Sequence, residues 1–240
     1  YRAEAIRVEG QGYRFDLVSP TQTYKNIYLR AMGRHNLSNA IGALAILDLG
    51  GFPVKKVLPA LSTFKGIQRR MEVFSLENKI VIDDYAHHPK EIDAVLKTIS
   101  EFYPDKTNMV IFQPHLFSRT KDFMGEFVDV LSRFDEIVLM DIYPAREQPI
   151  FGVNSDVLLE HIKHSNKRKI SEEAFRSTIL NSEADLVLVM GAGDIGNHGL
   201  REGTATCLFF CTEALQAGAS HTGPQSFQHL AALTSYLLDT

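Results

Sequence analysis

The chain has 240 residues, 45% hydrophobic and 22% charged, with a formal net charge of -4; this allows one or two domains with a real core and gives no sign of a general nucleic-acid or membrane-surface binder. Its two cysteines, Cys207 and Cys211, make no disulfide framework and, without further ligands, read as packing residues rather than a zinc site. The expected setting is a reducing cytoplasm: no apolar run reaches the ~18 residues of a membrane span, and Tyr1-Arg2-Ala3-Glu4 has no signal-peptide pattern.

Ala5–Val8, Tyr13–Val18 and Asn26–Leu29 read as short strands separated by Gly10, Gly12 and Pro20. The period then changes. Asn39–Leu47 is a small-residue helical stretch stopped by Gly50-Gly51, and Pro53 opens a second short helix with Val54, Val57, Leu58 and Leu61 on one face. From residue 72 strands and helices alternate. The predicted strands are Lys79–Ile82, Asn108–Phe112, Ile137–Asp141 and Leu186–Met190; the predicted helices are Pro89–Ser100, Asp122–Phe134, and segments around 155–164 and 171–181. These strands are continuous apolar runs, as expected where both faces are covered. The alternation predicts an α/β fold with a mainly parallel, doubly wound sheet. Right-handed crossovers then gather the strands' carboxyl ends on one edge, where ligands of such sheets bind. Residues 198–240 break this rhythm; Phe227–Leu238 reads at most as one amphipathic helix.

Polar residues collect directly after the strands: Asp83 to Pro89, Gln113 to Arg119, Asp141 to Glu147, and Gly191 to Gly196. Any one such loop is polar because it is exposed; four on one edge point to a site. Asp83-Asp84 suits Mg2+ or nucleotide hydroxyls, or else is a solvated acidic turn. His87 and His88 are adjacent on a loop and cannot point the same way, so one is expected to face the site and one to be structural. Pro89 at the first helical position aims a helix N-terminus at the same edge, which favours an anionic ligand. Arg119 is either a carboxylate clamp or a surface ion pair.

Gly191-Ala192-Gly193-Asp194-Ile195-Gly196 matches G-x-G-x-x-G after a strand, yet Gly199 and Gly203 break the long helix that a dinucleotide site needs, although Glu213 stands near the right distance for its acid. Asn36 and Asn39, one helical turn apart, are placed to read a purine ring or to cap the helix. Gly66 to Glu72 lies between the two halves; its arginines either reach a phosphate or form a solvated basic pair in a linker.

Six segments together resemble the Mur ligases. They are Gly33 to Ala40, Phe64 to Glu72, Asp83 to Pro89, Phe112 to His115 with Ser118 to Thr120, Asp141 to Ala145, and Gly191 to Ile195. The Asp-Asp-Tyr-Ala-His-His-Pro and Gln-Pro-His strings are similar to the alanine-adding branch and its peptide-recycling relative. The resemblance implies residues 1–68 as the end of a central ATP-binding domain, 69–197 as a C-terminal Rossmann-like ligase domain, and 198–240 as an atypical tail. It implies cell-wall precursor chemistry: ATP phosphorylates the carboxylate of UDP-N-acetylmuramate, and the amine of L-alanine attacks the acyl phosphate, with Mg2+ neutralising phosphate charge. By motif match, His35, Asn36, Asn39, Arg70 and Asp84 would bind the nucleotide. Tyr85, His87, His115 and Arg119 would line the alanine pocket, and Arg70 and His87 would be the catalytic residues.

No metal ligand is assigned in this chain. The family's UDP-sugar domain, its G-x-x-G-K-[ST] phosphate loop and its Mg2+ ligands are not among the 240 residues, so the chain alone is expected to be inactive. Leu116 stands where the family often has arginine. The other readings are a murein tripeptide ligase of cell-wall recycling and a non-catalytic nucleotide- or amino-acid-binding fragment.

Overall fold

The computed structural model describes residues 1–197. The expectations for the two cysteines, the helix at 227–238 and the residues after Asn197 lie outside the described residues.

The chain opens with an antiparallel sheet of β1 (Arg2–Glu9), β2 (Gly12–Val18) and β3 (Thr23–Leu29) in the order β1-β2-β3. On β2 the two-residue period is plain: Tyr13, Phe15 and Leu17 are fully buried, while Arg14, Asp16 and Val18 are partly exposed. Helices α1 (Arg34–Leu49) and α2 (Val54–Thr63) pack on this sheet through Leu37, Ala40, Leu44 and Val54. The predicted stop after α1 is real. Gly51 has φ 77, a backbone that side-chain-bearing residues rarely adopt, and Phe52 N–H donates back to the Leu47 carbonyl at 2.9 Å.

The second part holds β4 (Glu72–Leu76), β5 (Lys79–Asp84), α3 (Pro89–Phe102), β6 (Asn108–Phe112), α4 (Phe117–Asp122), α5 (Met124–Leu131), β7 (Glu136–Leu139), α6 (Ser155–His161), β8 (Lys167–Lys169), α7 (Phe175–Asn181) and β9 (Leu186–Met190). Its six-stranded sheet has the order β4-β5-β9-β6-β7-β8, all parallel except β4. The mainly parallel α/β architecture is therefore as the sequence predicts. From β5 to β8 the chain steps in one direction, with α3, α5 and α6 packed in one core on one face. The last crossover runs back, so right-handedness requires α7 on the other face. It inserts β9 between β5 and β6, where Leu186–Met190 are all buried.

Tyr13 and Arg34 tie the first sheet and α1 to α3. The Tyr13 hydroxyl donates to Glu101 at 2.7 Å, Arg34 pairs with the same carboxylate, and the Tyr13 ring meets Phe102 edge-on at 5.1 Å.

Several predicted boundaries move. β4 was not expected; it pairs with β5 through Glu77-Asn78, which lacks the glycine that marks a tight hairpin. β8 has no apolar signature because it is an edge strand of three cationic residues, a composition that discourages further pairing. The single helix expected over Asp122–Phe134 begins earlier and breaks at Phe123, whose φ of -111 interrupts α4 and α5. The strand expected at Ile137–Asp141 runs instead from Glu136 to Leu139. The helices expected near 155–164 and 171–181 shorten to α6, which Asn154 caps by accepting from Val157 N–H at 2.8 Å, and to α7.

Phe127 on α5 is fully buried, with its ring 5.5 Å from that of Phe112 on β6. Phe127→Ala is expected to lower unfolding free energy by about 3–5 kcal/mol, read as a lower urea midpoint with an unchanged slope; a midpoint equal to the wild type would contradict this packing.

Candidate functional site

The segment entering the second sheet is held in an unusual backbone. Arg69 and Met71 have φ values of 57 and 51, a left-handed region costing a side-chain-bearing residue about 1–2 kcal/mol. Asp84 at the end of β5 offsets that cost. One of its carboxylate oxygens accepts from Met71 N–H and the other from Ala86 N–H, both at 2.8 Å. Tyr85 N–H donates to the Arg69 carbonyl at 2.7 Å, and Arg69 N–H donates to Glu72 at 2.9 Å. Burial pushes the Asp84 carboxyl above the usual range, and the two backbone donors oppose the rise.

The sequence leaves Asp83-Asp84 open as ligands for Mg2+ or nucleotide hydroxyls or as a solvated acidic turn, with Asp84 matched to the nucleotide. In the structure both Asp84 oxygens are engaged by backbone, and buried Asp83 faces the Arg69 guanidinium at 3.5 Å. Among the described residues no cluster of three histidine, cysteine or acidic side chains forms a cage for a metal. The donors in these residues do not fit Mg2+.

The nucleotide candidates divide between two elements. His35, Asn36 and Asn39 lie at the start of α1; His35 and Asn36 are partly buried and Asn39 is exposed. The Asn36 amide donates to the Met32 carbonyl at 2.7 Å. The His35 ring folds over Gly33, where a Cβ would sit 2.6 Å from the imidazole. Burial, and then the charge of Arg70, hold His35 below its ordinary pKa, so Arg70 acts on this end of α1. Arg70 also stands 5.6 Å from the Tyr85 ring.

The amino-acid candidates form one aromatic chain at the carboxyl edge of the sheet. Tyr85 meets His87 edge-on at 5.5 Å, His87 meets His115 at 5.9 Å, and His115 stacks on Tyr143 at 5.6 Å and 14°. Tyr143 belongs to the loop after β7 and pairs as a parallel bridge with His115. The sequence reading assigned it no role, although its position after a strand was the available signal.

The two adjacent histidines point to different surroundings. The His88 ring caps α3 by accepting from Lys90 N–H at 3.2 Å and packs on Phe123 at 4.5 Å, while His87 faces His115. Glu91 closes the capping box by accepting from the His87 and His88 N–H groups at 2.9 and 3.0 Å.

The partners fix the tautomers. His87 Nδ1 lies 2.9 Å from the Tyr85 carbonyl and 3.3 Å from the Glu91 carboxylate, both acceptors, so Nδ1 carries the proton. His115 Nδ1 lies 3.2 Å from the Arg119 guanidinium, which only donates, so Nδ1 accepts and the neutral ring keeps its proton on Nε2. Burial, then the charges of Arg119 and His87, lower the His115 pKa. The pair therefore presents an acceptor at His87 Nε2 when neutral and a donor at His115 Nε2. Arg119, on α4, supplies the positive charge. The turn into α4 is fixed by Leu116, with φ 73 and its N–H on the Tyr143 carbonyl at 3.0 Å, and by Glu147, which accepts from Ser118 N–H at 2.9 Å.

The glycine-rich loop after β9 fills its own space. A Cβ on Gly191 would stand 2.8 Å from the Gln113 carbonyl, one on Gly193 2.7 Å from the Tyr143 ring, and one on Gly196 2.7 Å from Arg69 Nε. Gln113 also accepts from Ile195 N–H at 3.2 Å and donates to Asp194 at 3.1 Å. Close packing within the chain accounts for these glycines, and a short 3-10 turn at Ile195–Asn197 follows them.

Residues 69–193 match the family model described as "Mur ligase, glutamate ligase domain". The chain belongs to the Mur ligase family. It is 46% identical over 195 residues to the UDP-N-acetylmuramate–L-alanine ligase of Flavobacterium psychrophilum, covering 81% of this chain and 44% of that relative. Among solved structures it resembles the UDP-N-acetylmuramate–alanine ligase of Thermotoga maritima, with a TM-score of 0.68 and 26% identity, over 87% of this chain and 46% of that one. A Mycobacterium tuberculosis folylpolyglutamate synthase, solved with ADP and AMPPCP, shares the fold at a TM-score of 0.63 and 16% identity, over 83% of this chain and 47% of that one. The chain thus spans less than half the length of these relatives.

In this Mur ligase chain the His115 ring is expected to titrate with a midpoint below the ordinary value of about 6.5. The unfolded chain binds more protons between the folded and unfolded values. The stability contributed by neutral His115 is then complete above about 6.5 and is lost as pH falls through the folded value. Ring-proton NMR against pH checks this; a midpoint at or above 6.5 would contradict the burial of the ring beside the charges of Arg119 and His87.

Proposed function

We propose that the chain is the C-terminal part of an ATP-dependent amide ligase that joins L-alanine to UDP-N-acetylmuramate through an acyl phosphate, in the cytoplasm and in peptidoglycan precursor synthesis. The observation that carries the reading is the convergence of Tyr85, His87, His115 and Arg119 at the carboxyl edge of the sheet, in a chain 46% identical to a relative of that name. The group suits a small amino acid. Arg119 offers a planar cationic fork for a carboxylate, and His87 Nε2 offers an acceptor for an ammonium or amine proton. A held, unprotonated amine is what attack on an acyl phosphate requires. The names of the relatives favour alanine over a recycled peptide as the added group.

ATP supplies the phosphoryl group. His35, Asn36 and Asn39 at the start of α1, with Arg70 beside them, are the residues of this chain that fit it: amides for a base and a guanidinium for phosphate. Asp84 serves the nucleotide indirectly, by holding the backbone at Met71, next to Arg70. Mg2+, for which the described residues show no cluster of donors, would be held by parts of the protein outside them.

We also infer that residues 1–68 are the end of a larger ATP-binding domain and that 69–197 form the amino-acid domain. In support, the second half of α1, from Ala40 on, is apolar nearly all round, and its outer stripe leaves Ile46 and Leu49 exposed beside exposed Phe52. Such a helix is usually covered on both sides.

The kinetic test uses a complete ligase, with this chain's residues in place of the matching 195 residues of the Flavobacterium relative. Arg119→Ala is expected to raise KM for L-alanine roughly ten- to a hundredfold, the loss of a charge-assisted hydrogen bond of about 1.5–3 kcal/mol, with KM for ATP within twofold. Arg70→Ala is expected to do the reverse. An unchanged kcat/KM for alanine in Arg119→Ala would make that arginine a surface ion pair.

A further inference from the structure

Arg69 and Arg70 are adjacent, and both guanidinia lie over the Tyr85 ring, at 5.0 and 5.6 Å, but their other surroundings differ. The charge of Arg70 also reaches His35 at the start of α1. The Arg69 side chain is only 16% exposed and is enclosed by two other segments, the end of β5 and the loop after β9. One guanidinium nitrogen donates to the Gly193 carbonyl at 2.8 Å and another to the Gly191 carbonyl. Its Nε faces Asp83 at 3.5 Å, and its plane lies 5.0 Å from the centre of the Tyr85 ring. Gly196 closes the enclosure, because a Cβ there would come within 2.7 Å of Arg69 Nε and 2.9 Å of an Asp83 oxygen.

The glycine-rich loop thus grips a cation of its own chain through carbonyl oxygens, the opposite polarity to a loop that grips phosphate through N–H groups. Tyr85 is the first ring of the chain that runs through His87 to His115, and its backbone N–H is also bonded to Arg69.

We propose that Arg69 is a positioning residue for the amino-acid pocket: held by the Gly191 and Gly193 carbonyls and Asp83, its guanidinium fixes the Tyr85 ring and, through it, the orientation of His87 and His115. This rests on the reading of that cluster as the alanine pocket. Arg69 touches no reacting atom. Lysine keeps the charge but has no planar fork to span two carbonyls, a carboxylate and a ring face at once, so it is not expected to substitute.

Two variants displace the guanidinium by different routes: Arg69→Lys shortens it, and Gly196→Ala pushes a methyl group into its place with the charge intact. In the 240-residue chain, ring-proton NMR is expected to show shifted His87 and His115 signals in both, with His161 and His164 at their wild-type positions. In the complete ligase both are expected to raise KM for L-alanine at least tenfold and to leave KM for ATP within twofold. Unmoved His87 and His115 signals in folded variants would overturn the proposal, as would loss of folding in both, which would make Arg69 a folding residue. Shifted signals with an unchanged alanine KM would keep the coupling of Arg69 to the rings and remove the alanine reading of the pocket.

Discussion

The return of the last strand to the middle of the sheet governs the site. β9 lies between β5 and β6 although it is made last, so its carboxyl end emerges between the two loops that carry the histidines. Gly191 N–H bonds to the Asp84 carbonyl on one side, and Gln113 N–H bonds to the Met190 carbonyl on the other. Side chains in this central loop would collide with Gln113, Tyr143 and Arg69, which is why three of its six positions are glycine. The same strand order brings Tyr85 and His87 from one neighbour of β9 and His115 from the other to within ring-contact distance.

Charge is then placed at that edge under heavy desolvation. Asp83 and Asp84 are consecutive, point to opposite faces of β5, and are both buried. Each is held by a different device: Asp83 by the Arg69 guanidinium, Asp84 by two backbone N–H groups. Removing one partner of such an arrangement strands the other in a low-dielectric setting, a far larger cost than losing an exposed ion pair. Together they pin the segment through residues 69–71, which sends Arg69 into the sheet edge and leaves Arg70 over Tyr85, with its charge felt at His35 of α1. One short stretch thereby serves both halves of the described structure.

Much was legible in the sequence where a local rule operates. Apolar runs located β6 and β9 to the residue, Pro89 located the start of α3, and Gly50-Gly51 located the end of α1. That His87 and His88 cannot point the same way followed from adjacency alone. Where no local signal exists the reading failed: β8 is three cations, β4 is joined by a turn without glycine, and the break at Phe123 depends on how α4 and α5 pack. The motif match singled out Arg70 and gave Arg69 no role; the enclosure of Arg69 by Asp83 and the Gly191 and Gly193 carbonyls comes from contacts distant in the chain.

By itself the sequence determined the α/β class, the parallel character of the sheet and the membership of the Mur ligases, because periodicity, capping and motif strings are local properties. Only the tertiary structure decided the strand order that unites four loops, the tautomers of His87 and His115, and the use of an apparent dinucleotide loop as a cradle for an internal arginine. The strand order and the cradle depend on atoms that meet across long stretches of chain, as Arg69 meets Gly193 over a separation of 124, and no local pattern encodes such a meeting; the tautomers depend on which side-chain rotamers bring His87 to Tyr85 and His115 to Arg119, which the folded surroundings select.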